Sequence, residues 1–141
     1  MIILGVDLGE VRTGVAICDR FEMLAIPVCV ITQTDDELIV SQIAEIATEK
    51  GAGEIVVGLP KNMDSSEGER AQKCIAIAEQ IKKLSGIKTV LRDERLTTVS
   101  AHNALNETNT RGKKRKAVVD QVAATVILQE YLDYRRIHNI K

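Results

Sequence analysis

Residues 2–31 read IILGVDLGEVRTGVAICDRFEMLAIPVCVI. Three apolar stretches, 2–8, 12–19 and 24–31, are joined only by short polar connections at 9–11 and 20–23. Links that short suit antiparallel neighbours. Pro27 has no N–H to give a ladder, which moves the third strand toward a sheet edge. Downstream the pattern changes. Thr34 with Glu37 is a capping-box pair, followed by Ile39, Ile43, Ile46 and Ala47 on one helical face, with an end near Gly51. EIVVGL at 54–59 is a fourth strand ending at Pro60. Ser66 with Glu69 opens a second helix carrying Ala71, Cys74, Ile75, Ala78 and Ile81, and Gly86 stops it. IKTVLR at 87–92 is a fifth strand. A short helix over 97–107, a basic loop over 108–114 and a last helix over about 115–134 complete the chain. The order βββαβαβαα predicts an α/β fold, a mixed sheet with helices on its faces.

The chain of 141 residues is 45% hydrophobic and 28% charged, which fits one folded domain over 1–141. No apolar run approaches the ~18 residues that span a bilayer. Asp7 interrupts the first apolar run and no basic segment precedes it, so a cytoplasmic location without membrane attachment is expected. The only aromatics are Phe21, Tyr131 and Tyr134, which argues against modules that stack bases on aromatic platforms. Cys18, Cys29 and Cys74 sit in apolar stretches without CxxC spacing and read as reduced core thiols. The net charge of −1 hides an asymmetry: residues 1–110 sum to −6 and residues 111–141 to +5. The basic excess is concentrated in Arg111, Lys113, Lys114, Arg115 and Lys116, a candidate contact for a polyanion.

In sheets of this kind the site lies beyond the carboxyl ends of the parallel strands. Those ends carry Asp7, then Lys61 and Asn62, then Asp93, Glu94 and Arg95. Asp7 closes an apolar strand, where Asp is disfavoured, although it would also serve as a solvated turn cap. Asp120 shares a helical face with Ala123, Ala124 and Ile127, so an interior carboxylate there needs a cation. An arginine such as Arg12 or Arg95 is one partner, a metal ion another. Arg95 is open in the same way, a salt-bridge partner or a phosphate grip. Asp7, Glu94 and Asp120 form an all-oxygen set that suits Mg²⁺ or Mn²⁺ rather than zinc. Two such ions ~4 Å apart activate a water and stabilise a leaving oxygen in phosphodiester hydrolysis. His102 and His138 show no ligand spacing.

Four blocks, in order, carry a family resemblance. They are Val6-Asp7-Leu8-Gly9 with Arg12-Thr13-Gly14-Val15-Ala16, then Val57-Gly58-Leu59-Pro60-Lys61-Asn62-Met63-Asp64. Asp93-Glu94-Arg95-Leu96-Thr97-Thr98 follows, and Val119-Asp120-Gln121-Val122-Ala123-Ala124 with Ile127-Leu128-Gln129 is the last. The chain resembles the YqgF family, Holliday junction resolvase-like proteins also called pre-16S ribosomal RNA nucleases. The resemblance implies an RNase H-like fold with strand order 3-2-1-4-5 and strand 2 antiparallel. It implies a metal-dependent nuclease of precursor 16S rRNA ends, with its acidic positions at Asp7, Glu94 and Asp120. Ser65 stands where the family often has Gly, and Glu10 replaces a small or hydroxyl residue, adding negative charge beside the phosphate path.

The expected partner is nucleic acid, held by Arg12, Lys61, Asn62, Arg95, Lys113, Lys114, Arg115 and Lys116, with no small organic cofactor and a monomer or weak dimer as the assembly. The runner-up is a junction resolvase acting on branched DNA, which needs a symmetric dimer to cut two strands. A third reading is a nucleic-acid-binding protein without turnover. A phosphotransferase of the actin and sugar-kinase type needs two nucleotide-clasping domains, too many for this length.

Overall fold

The computed structural model describes residues 1–59, 68–93 and 112–138, with side chains described for all of these except 93 and 112–121. The helix expected over 97–107, and with it Lys61, Asn62, Glu94, Arg95 and Arg111, lies outside the described residues. The elements are β1 (Ile3–Leu8), β2 (Arg12–Cys18), β3 (Ala25–Thr32), α1 (Asp36–Glu49), β4 (Glu54–Leu59), α2 (Glu69–Ser85), β5 (Lys88–Asp93) and α3 (Gly112–Ile137). Five strands make one sheet in the order β3-β2-β1-β4-β5. β2 runs antiparallel to β1 and β3, whereas β4 and β5 run parallel to β1. The short connections after β1 and β2 thus do join antiparallel neighbours. β3 is an edge strand, and its pairing with β2 slips between Val15 and Ala16, which face Cys29 and Pro27. Val28 is the extra residue of that bulge, where a proline costs the ladder least.

Strand alternation sends side chains to two faces. Leu4, Val6 and Leu8 join Val15, Ile55, Val57 and Leu59 under α1 and α2. Ile3, Ala16 and Val56 meet Ala124, Ile127, Leu128 and Leu132 of α3 on the other face. Gly5 belongs to the α3 face for a packing reason. A Cβ there would stand 2.7 Å from Leu128 Cβ and 3.1 Å from the Ala124 carbonyl oxygen. Only glycine lets the helix approach β1 this closely.

Helix ends differ from expectation in three places. Asp35, not Thr34, caps α1: its carboxylate accepts from the amides of Glu37 and Leu38. Gln33 Oε1 accepts from the amides of Thr34 and Asp35, so the turn before the helix is set one residue later. α2 begins at Glu69 with Gly68 as its cap, later than a Ser66 cap would place it. α3 begins at Gly112, so residues 112–114 are helical rather than loop, and it runs to Ile137. Lysine and arginine are good helix formers, and a run of charge does not mark a loop. The other stops hold: Gly86 ends α2 with a left-handed φ of 71°, and Gly51 has the same φ just after α1. On α2, Ile77 is buried beside Ala71, Cys74, Ala78 and Ile81, while Ile75 packs at the margin. Among the described residues no helix is long and apolar enough to cross a membrane.

Candidate nuclease site

Asp7 is the penultimate residue of β1 and is half-buried. Alternation puts it on the α3 face with Ile3 and Gly5. Its cross-strand partner on that face is Gly14 of β2. On the other side the matched β1–β4 pairs end at Val6 with Val57, and Gly58 is the next residue of β4. Asp7 thus has a glycine opposite it on β2 and a glycine next in line on β4. Gly58 pairs in turn with Arg92 of β5. Arg12 opens β2 at this end of the sheet, two residues before Gly14. Arg92 is half-buried with its guanidinium carbon 5.4 Å from the centre of the Tyr134 ring.

α3 runs opposite to β1. Its later part reaches the amino ends of the parallel strands, where Arg135 Nη1 donates to Glu54 at 3.1 Å and Glu54 pairs with Ile3. Its Ala124 region lies against Gly5. Position 120 is one turn further toward the carboxyl end of β1, a rise of about 6 Å at ~1.5 Å per residue. Asp7 is two strand residues beyond Gly5, a rise of about 6.6 Å at ~3.3 Å per residue. Positions 7 and 120 thus lie toward the same end of the sheet, on the same face. Ala123, Ala124 and Ile127, named as the apolar stripe that Asp120 shares, are all buried. Glu94 directly follows β5, the strand that ends beside β4 at this same end. No group of three metal-binding side chains occurs among the described residues, a set that leaves out Glu94 and the Asp120 side chain.

Lys113, Lys114, Arg115 and Lys116 occupy the start of α3, beyond position 120 and so toward the same end of the sheet. No acidic residue accompanies them in the first turn. Cys18 and Cys74 are buried and Cys29 half-buried, and burial pushes the thiols of Cys18 and Cys29 up from their ordinary values.

Two features escape the sequence reading. Arg70, in the first turn of α2, donates from Nη2 to the Leu8 carbonyl at 3.3 Å, beside Asp7. Its sequence neighbourhood reads as an ordinary exposed helix face. The second lies at the far end of the sheet. Glu54 is 1% and Arg135 3% exposed. Around them Tyr131 donates to Glu54 at 3.1 Å and Arg135 Nε to Glu22 at 2.7 Å. Arg135 continues the stripe of Ala124, Leu128 and Tyr131 at helical spacing, a signal that was available.

Residues 1–134 match the family model for RuvX, described as Holliday junction resolvase. A relative named "Putative pre-16S rRNA nuclease" from Leuconostoc mesenteroides is 43% identical over 136 residues, covering 94% of this chain and 95% of that protein. One of the same name from Lachnospira eligens is 40% identical over 139 residues, covering 96% and 99%. The fold is similar to Thermus thermophilus RuvC in complex with a Holliday junction substrate, at a TM-score of 0.65 and 12% identity, covering 98% of this chain and 96% of that one. It is also similar to the fowlpox virus Holliday junction resolvase, at a TM-score of 0.56 and 16% identity over 95% and 99%. At such identities the two structures speak to the fold alone.

Proposed function

This chain belongs to the RuvX family, also called YqgF, and on that premise we propose that it is a metal-dependent nuclease hydrolysing phosphodiester bonds at the ends of precursor 16S rRNA in the cytoplasm. The observation that carries the reading is the placement of Asp7. It stands at a strand end opposite Gly14, on the face that α3 covers, with Gly58 following the last matched residue of β4.

The donor set fits a hard divalent cation. Asp7, Glu94 and Asp120 offer only carboxylate oxygens, the chemistry Mg²⁺ and Mn²⁺ prefer. Bound there, the ion supplies an activated water and charge stabilisation for the leaving oxygen. The chain's own residues do the rest. Gly14 and Gly58 leave room for a phosphate against the sheet. Arg12 at the head of β2, with Lys61, Asn62 and Arg95 after β4 and β5, offers cations and amides to the backbone on either side of the scissile bond. Lys113, Lys114, Arg115 and Lys116 extend that contact along α3. In this reading the chain works as a monomer or weak dimer, since one strand is cut at a time.

The test is cleavage of model precursor rRNA ends and of four-way junction DNA, each with Mn²⁺ or EDTA, by the wild type and Asp7→Asn. Mn²⁺-dependent cutting of RNA, reduced at least ~10²-fold by Asp7→Asn, is expected. Cutting of the junction alone would favour the resolvase. Binding of RNA with no turnover in either protein would leave a non-catalytic binder.

A further inference from the structure

The β1–β4 pairing is matched from Ile3 with Glu54 to Val6 with Val57. Asp7 and Leu8 project past the last matched pair on that side. At this point Arg70 reaches over from α2, and its Nη2 donates to the Leu8 carbonyl at 3.3 Å. The bond ties down the residue next to Asp7, and so fixes the strand end that carries the carboxylate.

A guanidinium has five N–H donors and keeps its charge when one of them meets a neutral carbonyl. Arg70 is exposed, so its guanidinium is open to solvent at the end of β1, on the α2 side of the sheet. It borders a small, mainly apolar cavity, lined by Leu8, Ile39 and Ile77 as well as by Gly9, Glu10 and Lys73. Lys73 forms a half-exposed pair with Asp36, its Nζ 3.4 Å from the carboxylate. Glu10, by contrast, would repel an approaching phosphate. Arg70 is the cation placed to offset that carboxylate on this side of the strand end.

We propose that Arg70 is a positioning residue for a nucleic-acid substrate: one N–H holds the strand end beside Asp7, and the free edge of its guanidinium grips a phosphate flanking the scissile one. The proposal rests on the nuclease reading of the site and adds the face from which the strand enters.

The experiment measures binding of a model precursor rRNA end over a range of salt in EDTA, where no cleavage interferes, for wild type, Arg70→Ala and Arg70→Lys. Both variants break the Leu8 contact in its native form, but only alanine removes the charge. Arg70→Ala should bind more weakly, with a log–log salt slope shallower by about 0.7–0.9, the value of one phosphate contact. Arg70→Lys should recover the wild-type slope. Arg70→Gln replaces the alanine variant if that fails to fold. A merely structural role would lower the melting temperature of both variants and leave the slope where it was. A wild-type slope in the neutral variant, or equal slopes in the neutral and lysine variants, overturns the proposal. Wild-type protein that binds with the expected Arg70 dependence yet does not cut with Mn²⁺ overturns the nuclease reading instead. Absence of RNA binding by the wild type overturns both.

Discussion

At position 120 a carboxylate and its amide differ by one charge and almost no volume. If Asp120 holds a metal ion, Asp120→Asn should nearly abolish cleavage while the packing of Ala123, Ala124 and Ile127 survives. Without metal the carboxylates repel one another, and the amide relieves that repulsion. The metal-free variant should therefore melt with the wild type or slightly above it. Mn²⁺ should then raise the melting temperature of the wild type more, because a ligand stabilises only the state it binds. A salt bridge to an arginine predicts the opposite, a metal-free loss of about 3 kcal/mol or more for a buried pair. Melting curves with and without Mn²⁺, read beside a cleavage assay, separate the two. A variant that melts far lower yet cuts at the wild-type rate removes Asp120 from the site. Such a test is needed because spacing showed that Asp120 shares the buried stripe but not which group it meets. That depends on residues from four separate strand and helix ends.

At the scale of the element, α3 carries the next expectation. It opens with Lys113, Lys114, Arg115 and Lys116 and has no acid in its first turn. Cations there oppose the helix dipole, which favours acids by about 0.3–1 kcal/mol each. A phosphate backbone would reverse that penalty. Replacing Lys113, Lys114 and Lys116 by alanine should weaken RNA binding alike for all sequences and flatten its salt slope by up to about 2, at ~0.7 per single-strand phosphate. Thermal stability should hold or rise, since alanine is the better helix former. A slope unchanged from wild type leaves the run without this role. The strands were legible to within a residue, because alternation and short links are local signals. Helix starts were less so. Asp35 and Thr34 are both good caps, and the choice fell to Gln33, whose side chain takes the preceding amides.

For the whole molecule, the ion cluster at the far end of the sheet separates stability from chemistry. Arg135 joins Glu54 of β4 to Glu22 of the β2–β3 connection, and so ties α3 to two parts of the sheet. Arg135→Ala leaves Glu54 buried with only Tyr131 and the exposed Lys88 beside it. A loss of about 3–5 kcal/mol at neutral pH is expected, the usual cost of breaking a buried pair from one side. Burial pushes the Glu22 carboxyl up, but the hydrogen bond and charge of Arg135 outweigh it and hold the group below its ordinary value. A carboxyl with a depressed folded pKa contributes stability that is complete above the unfolded value, about 4.3, and lost as pH falls through the folded one. The gap between variant and wild type should therefore narrow in acid. Urea unfolding at neutral and acidic pH checks this, and an equal gap at both would refute it. Below its melting temperature the variant should still cut RNA, because the cluster lies at the opposite end of the strands from Asp7.

Among the described residues, the sequence by itself determined the elements, their order and the mixed character of the sheet. Each of these follows from period, link length and the residues that stop a helix, which are properties of a few neighbours along the chain. It also determined that Asp7 shares a face with Ile3 and Gly5, since alternation needs no partner. Only the tertiary structure decided what stands beside Asp7. Gly14 stands opposite it because of strand register, and register is set between strands. The helix that carries position 120 lies over the Asp7 face because Gly5 lets α3 close on β1, a contact between residues more than a hundred apart. Arg70 on the Leu8 carbonyl and Arg135 on Glu54 are long-range in the same way, 62 and 81 residues apart. A long charged side chain reads as solvent-exposed in a local window, and its partner is fixed only when the layers pack.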